Sequence, residues 1–166
     1  MNIEAFADLF KNYCEKFLYK INEEDPGKPL HFTHYDMEDV FNDIRDMSFP
    51  AFFLSTPEDD FGGENADSLH ESFESSFMVL LPLPNNDITR KGEIISIAKN
   101  ICDQFIRRLM YDSRTTTVID GLNIPGIKAG IVSRTVDSLY GWTVSFNIIQ
   151  GFNGQIDTSV WEDLPE

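Results

Sequence analysis

A long amphipathic segment from Ile88 to Arg114 constrains the fold of this chain more than any other part of the sequence. Its apolar residues recur at spacings of three and four, with charged residues mostly between them. This period is typical of an α-helix with one wide apolar face. The apolar positions are Ile94, Ile95, Ala98, Ile101, Cys102, Phe105, Ile106, Leu109 and Met110. Segments that alternate like β-strands lie on both sides, so we expect this helix to pack across a sheet.

Two further helices are predicted before this segment. The first runs from Asn2, its N-cap, to Ile21, and it ends where acids, two prolines and a glycine follow between residues 23 and 29. The second is shorter and runs from Asp36, its N-cap, to Asp46, because four apolar residues repeat there at helical spacing.

Apolar and alternating runs predict four strands, at residues 50–55, 71–83, 127–136 and 140–152. In the second strand the polar half of the alternation is lost after Ser76, which predicts burial on both faces at its far end. In the last strand, Trp142, Val144, Phe146 and Ile148 share one face. The elements together predict an α+β fold, a mostly antiparallel β-sheet with two longer amphipathic helices packed on it. We expect a single domain over residues 1–152 and a polar C-terminal tail over 153–166.

The charge of the chain limits the kinds of partner that it can bind. Thirteen basic and twenty-eight acidic residues give a net charge of −15, which opposes binding of a phosphate backbone or an anionic membrane by charge. No lysine or arginine lies between Arg45 and Arg90, where nine acids fall. With two glycines in its middle, the stretch 56–68 is predicted to be an exposed acidic loop. The acids proposed for an assembly or channel-lining role are Glu58, Asp59, Asp60, Glu64 and Asp67.

Residues with catalytic or metal-binding chemistry have simpler interpretations. His31 and His34 are a weak zinc motif, because zinc needs three or four ligands, and both are interpreted as surface residues of a loop. The acids of 56–68 lack the ligand spacing of a calcium loop. Cys14 and Cys102 lie on apolar helix stripes, as core thiols do in a protein made in a reducing cytosol. We therefore predict no catalytic residue, no cofactor and no metal, and an enzyme is the least favoured class.

The two tryptophans differ in their surroundings. Trp142 belongs to the apolar face of a strand and is interpreted as core. Trp161 stands in the polar tail without local apolar neighbours, so it packs either on a partner protein or back on its own domain.

The order of elements resembles that of the tail terminator and tail-completion (head-tail joining) proteins of long-tailed bacteriophages and prophages. The resemblance rests on the strand PAFFLS, the strand ending MVLLPLP, the helix EIISIAKNICDQFIRRLM and the final GWTVSFNII, and it covers residues 1–155. It implies a structural virion protein in the tail or neck, assembled in the host cytoplasm. Its partners are copies of itself in a ring, commonly a hexamer, and the tail-tube and neck proteins, while DNA passes through without specific binding. The alternative is a stand-alone cytosolic α/β module that binds a protein through a sheet edge or the acidic stretch.

Overall fold

Two thirteen-residue strands, paired antiparallel along their whole length, form the centre of the fold. They belong to a computed structural model that describes residues 2–19, 27–35, 47–63, 68–115, 119–132 and 138–152. The elements are, in chain order, α1 (Ile3–Lys16), β1 (Leu18–Tyr19), β2 (Lys28–Pro29), β3 (His31–Tyr35), β4 (Ala51–Ser55), β5 (Glu58–Gly62), β6 (His70–Pro82), α2 (Lys91–Asp112), β7 (Lys128–Val132) and β8 (Leu139–Gly151). The central pair is β6 and β8.

The main sheet has six strands in the order β3-β4-β6-β8-β7, and β5 pairs with β6 beyond the end of β4. Strand β3 runs parallel to β4, whereas every other pairing in this sheet is antiparallel. Strands β1 and β2 form a separate two-stranded ribbon. Both helices contribute to one apolar cluster on the same face of the main sheet. The predicted α+β fold, with two longer helices on a mostly antiparallel sheet, is confirmed.

Helix α2 confirms the long amphipathic segment. It begins at Lys91 after a 3-10 turn at Ile88–Arg90 and ends at Asp112. The late start follows from Asp87, whose Oδ1 accepts a hydrogen bond from the Thr89 amide at 3.0 Å and so caps the 3-10 turn instead of the α-helix. Its buried residues are Ile94, Ala98, Ile101, Cys102, Phe105, Leu109 and Asp112.

Helix α1 begins as predicted but ends early. The Asn2 side chain accepts a hydrogen bond from the Ala5 amide at 3.1 Å, which confirms Asn2 as the N-cap. The predicted end at Ile21 is wrong, because Phe17 is already extended and the helix stops at Lys16. Leu18 and Tyr19 then pair with β2 as strand β1, so pairing with another segment of the chain overrides the helical period there.

Aromatic rings fill the space between the helices and the sheet. The Phe52 ring centroid lies 4.5 Å from that of Phe105 and 5.1 Å from that of Phe77. Phe10 of α1 lies 6.0 Å from Phe52, so both helices meet the sheet through one group of rings. The predicted face of β8 is confirmed by the burial of Val144, Phe146 and Ile148, with Trp142 half-buried against the same cluster.

The opposite face of the sheet, here called the outer face, carries a smaller apolar cluster. Its fully buried members are Ala51, Phe53, Leu80 and Leu139, and Met47 and Phe49 pack against them. Leu80 faces this cluster while its neighbour Val79 faces the helices, so the far end of β6 is buried on both sides as predicted.

Two predicted segments, the helix 36–46 and the tail 153–166, lie outside the described residues. The interpretation of His31 and His34 as loop residues is wrong, since both belong to β3. This strand pairs in parallel with β4, and the strand-favouring residues Phe32, Thr33 and Tyr35 were the available signal. In the described part of the chain, neither helix has the length and apolar composition needed to cross a membrane.

Candidate functional site

The predicted acidic loop is in part a strand. Residues Glu58–Gly62 form β5, which pairs antiparallel with β6, so the loop prediction is wrong for these residues. The acidic side chains do not prevent this pairing, because a strand is held by backbone hydrogen bonds while its exposed side chains stay in water. The remaining acids of the prediction, Glu64 and Asp67, lie outside the described residues.

A one-residue bulge joins β4 to β5 along the same edge of β6. Leu54 pairs with Phe77 and Glu58 pairs with Glu74, so four steps along β4 and β5 oppose three along β6. Ser55 stabilises the interruption, because its Oγ accepts a hydrogen bond from the Ser76 amide at 2.8 Å. The edge therefore continues past the bulge as an acidic strand.

The acids of β5 are exposed on the edge of the sheet. Glu58 and Asp60 point to the outer face, and Asp59 points to the helix side, opposite Phe73. Glu58 stands directly across from Glu74, a pair of like charges that weakens a sheet slightly. Among the described residues, none of the three acids of β5 takes part in a salt bridge. We call Glu58, Asp59 and Asp60 the acidic strand residues.

A polar cleft of about 500 Å³ lies on the outer face, beside these acids. Its lining includes Ser55, Glu74, Ser76, Lys128 and Asn147, with no histidine or cysteine among the lining residues. The Ser76 hydroxyl donates to Ser55 Oγ at 3.2 Å, so these two hydroxyls of the cleft are engaged with each other. The cleft offers hydrogen bonds and mixed charge to a bound surface, and no side-chain base is set against a hydroxyl there.

The C-terminal end of α2 carries a basic surface that sequence analysis missed. Arg107, Tyr111 and Arg114 line a cleft of about 360 Å³, and Tyr111 is 63% exposed. In the described part of the chain, Arg107 and Arg114 form no salt bridge. Arg107 and Tyr111 are four residues apart on one side of α2, and Arg114 follows in the turn just after the helix. The helical spacing of four and three in the sequence was the available signal. We call these three residues the basic patch.

Arg108, next to the basic patch, has a different role. Its Nε donates to Oδ2 of buried Asp112 at 2.8 Å, and the Tyr13 hydroxyl donates to the same oxygen at 2.5 Å. Burial first, and then the hydrogen bond to Asp112, raises the pKa of Tyr13 well above its ordinary value. This network joins α1 to α2 and orients the end of α2 that carries the basic patch.

The histidines and cysteines occupy positions unsuited to joint metal binding. His31 pairs with Ala51 and His34 with Leu54, so the two rings emerge on opposite faces of the sheet. Both thiols are buried and unpaired, at Cys14 and Cys102. Among the described residues, no three potential ligands come together.

Of the two tryptophans, Trp142 lies half-buried on the helix side of β8, with the Lys99 ammonium 5.9 Å from its ring centroid. Trp161 lies outside the described residues.

Comparison of the sequence with models of known protein families and with curated proteins finds no match. We therefore infer function from the surface chemistry described above.

Proposed function

We propose that this chain is a structural protein of a long-tailed phage or prophage. In this proposal it forms a ring that caps the tail tube and joins it to the head or neck of the virion. The succession of amphipathic helix, strand, long strand, long helix and a final antiparallel pair of strands supports the proposal, because the resemblance rests on these elements.

The observation that carries the proposal is the acidic strand. Glu58, Asp59 and Asp60 are exposed on a sheet edge and form no salt bridge among the described residues. An exposed charged edge of this kind resists unspecific pairing with other strands and favours a partner of opposite charge. It therefore fits an assembly element or a channel wall better than a surface without a partner.

The chain's net charge of −15 fits the passage of DNA. A negative wall repels phosphates over roughly a Debye length, about 8 Å in physiological salt, so DNA passes through a narrow ring without adhering to it. The partners in this proposal are other copies of the chain and the adjoining tube and neck proteins. Contacts with DNA stay transient and unspecific.

Genetic replacement of the acidic strand tests this function. The variant carries Glu58→Gln, Asp59→Asn and Asp60→Asn, and the matched control carries Glu4→Gln, Asp8→Asn and Glu15→Gln on the exposed side of α1. Because exposed charges contribute little to stability, both proteins should unfold within about 0.5 kcal/mol of wild type.

Particle yield and infectivity are then measured for both variants. We expect the β5 variant to lose either the yield of joined particles, if the strand is an assembly element, or infectivity at normal yield, if it lines the channel. The control should match wild type. Normal yield with full infectivity of the β5 variant would contradict the proposed role.

A second function, a stand-alone protein-binding module, is favoured by strand β7. Among the described strands β7 pairs with β8 alone, so its outer edge is open, and Ile131 on it is 57% exposed. An open edge without proline accepts an added strand from a partner. Ile131→Lys should abolish capture of such a partner by a monomeric protein, while a ring assembly that depends on the acidic strand would persist.

A further inference from the structure

Charge on this chain is segregated. Six of its thirteen basic residues fall between Arg90 and Arg114, on and around α2. Three of them are neutralised locally, by Glu93, Asp103 and Asp112. The basic patch at the end of α2 has no such neutralisation among the described residues, and neither do the acids of β5. One molecule therefore presents two exposed, unbalanced surfaces of opposite sign.

We propose that the acidic strand residues of one copy dock on the basic patch of the next copy. This contact rests on the proposed ring, and it assigns to the acidic strand the role of assembly element in preference to channel wall. The two surfaces are different parts of the chain, so the contact is head-to-tail. A head-to-tail contact repeats from copy to copy and closes into a ring when the rotation between neighbours allows closure.

The chemistry of the two surfaces is complementary. Arg107 and Arg114 each present a guanidinium group, and β5 presents three carboxylates in consecutive residues. Guanidinium groups bind carboxylates in a bidentate geometry, which suits the acids of β5.

Aromatic side chains accompany both charged surfaces. Phe61 follows the acids on β5 and is 59% exposed, with its ring 5.1 Å from that of Phe152. Tyr111 stands between the two arginines and is exposed as well. Aromatic residues and arginine are enriched in protein interfaces, so the contact combines ionic and apolar parts.

Nucleic acid is the other polyanion that a basic surface could attract. The chain's net charge of −15 opposes it at long range, since phosphate binding depends on an overall positive field. A second copy of the chain is also negative overall and is repelled in the same way. In a ring, however, each copy makes two complementary contacts, one through its acidic strand residues and one through its basic patch. The observations therefore favour self-association over DNA binding.

Charge reversal tests the contact. Variant A carries Arg107→Glu and Arg114→Glu, and variant B carries Glu58→Lys and Asp60→Lys, the two acids that share one face of β5. The matched control for variant A, Lys11→Glu with Lys28→Glu, changes the net charge equally at exposed positions of α1 and β2. Native mass spectrometry and sedimentation velocity measure self-association, and urea unfolding checks that each variant is folded.

Each variant alone should associate at least about tenfold more weakly than wild type, because like charges then face each other. An equimolar mixture of A and B should regain association. The unchanged acids of A then meet the unchanged arginines of B, and the new lysines of B meet the new glutamates of A. The control should behave like wild type.

Three results would overturn the inference. If wild type forms a ring that neither A nor B weakens, the ring stands and this contact is wrong. If wild type stays monomeric at all concentrations, the proposed function fails together with the contact. If wild type binds duplex DNA and variant A loses that binding without any change in self-association, the patch is a nucleic-acid site.

Discussion

Phe105→Ala probes the packing of α2 on the sheet. Phe105 is 2% exposed, and its ring centroid lies 4.5 Å from that of Phe52, 5.5 Å from that of Phe17 and 6.0 Å from that of Phe77. Burial of such a side chain contributes about 1.5–3 kcal/mol, and each ring pair adds about 0.5–1.5 kcal/mol. The ring contacts overlap and the cavity relaxes in part, so we expect a loss of about 3–5 kcal/mol in the free energy of unfolding.

Urea unfolding followed by circular dichroism measures this loss. The midpoint should fall while the dependence on urea concentration stays unchanged, as for a loss of stability without a change of the unfolded state. Asn100→Ala is the control, because Asn100 is exposed on the same helix and its replacement should change stability by less than about 0.5 kcal/mol. A loss below about 1 kcal/mol for Phe105→Ala would refute the packing described here.

Three further predictions concern single positions. Gly92→Ala should stabilise the protein by about 0.5–1 kcal/mol in the same assay, because a Cβ there meets no atom within 4 Å and alanine favours the helix; destabilisation would show that the start of α2 is crowded. Neither zinc nor a chelator should shift the melting temperature, because His31 and His34 face opposite sides of β3; a shift of several degrees would contradict that geometry. Burial raises the pKa of the Cys102 thiol to about 12. The contribution of the buried neutral thiol to stability is therefore complete below the unfolded pKa near 9.0 and is lost as pH rises towards 12. In urea titrations, the difference in stability between wild type and Cys102→Ala should narrow above pH 9. A constant difference would refute this prediction.

Elements with a strong hydrophobic period could be predicted from the sequence. Helix α2 and strands β6 and β8 have buried residues at regular spacing, and the spacing alone identifies the face that packs. The end of α1 could not be predicted in this way. Its apolar period continues to Ile21, and the helix stops earlier because β1 pairs with β2, a contact between segments that the local pattern does not contain.

The surfaces were harder to predict than the core. Strand β5 reads EDDFG, a composition unfavourable for strands, and it forms because the edge of β6 continues past the bulge at Ser55. The two histidines looked like a local cluster because they are three residues apart, yet in a strand that spacing sends them to opposite faces. In the sequence, Arg107 lies between the apolar positions of the long amphipathic segment and Arg114 is its last residue. That neither forms a salt bridge among the described residues became visible only in the structure.

Self-association is the central claim, and native mass spectrometry of the wild-type chain over a wide concentration range tests it most directly. The account predicts one closed oligomer of a single size, which dissociates to monomers on dilution and in high salt, since the proposed contacts are largely ionic. A monomer at every concentration, or an unclosed series of increasing sizes, would contradict the proposed ring.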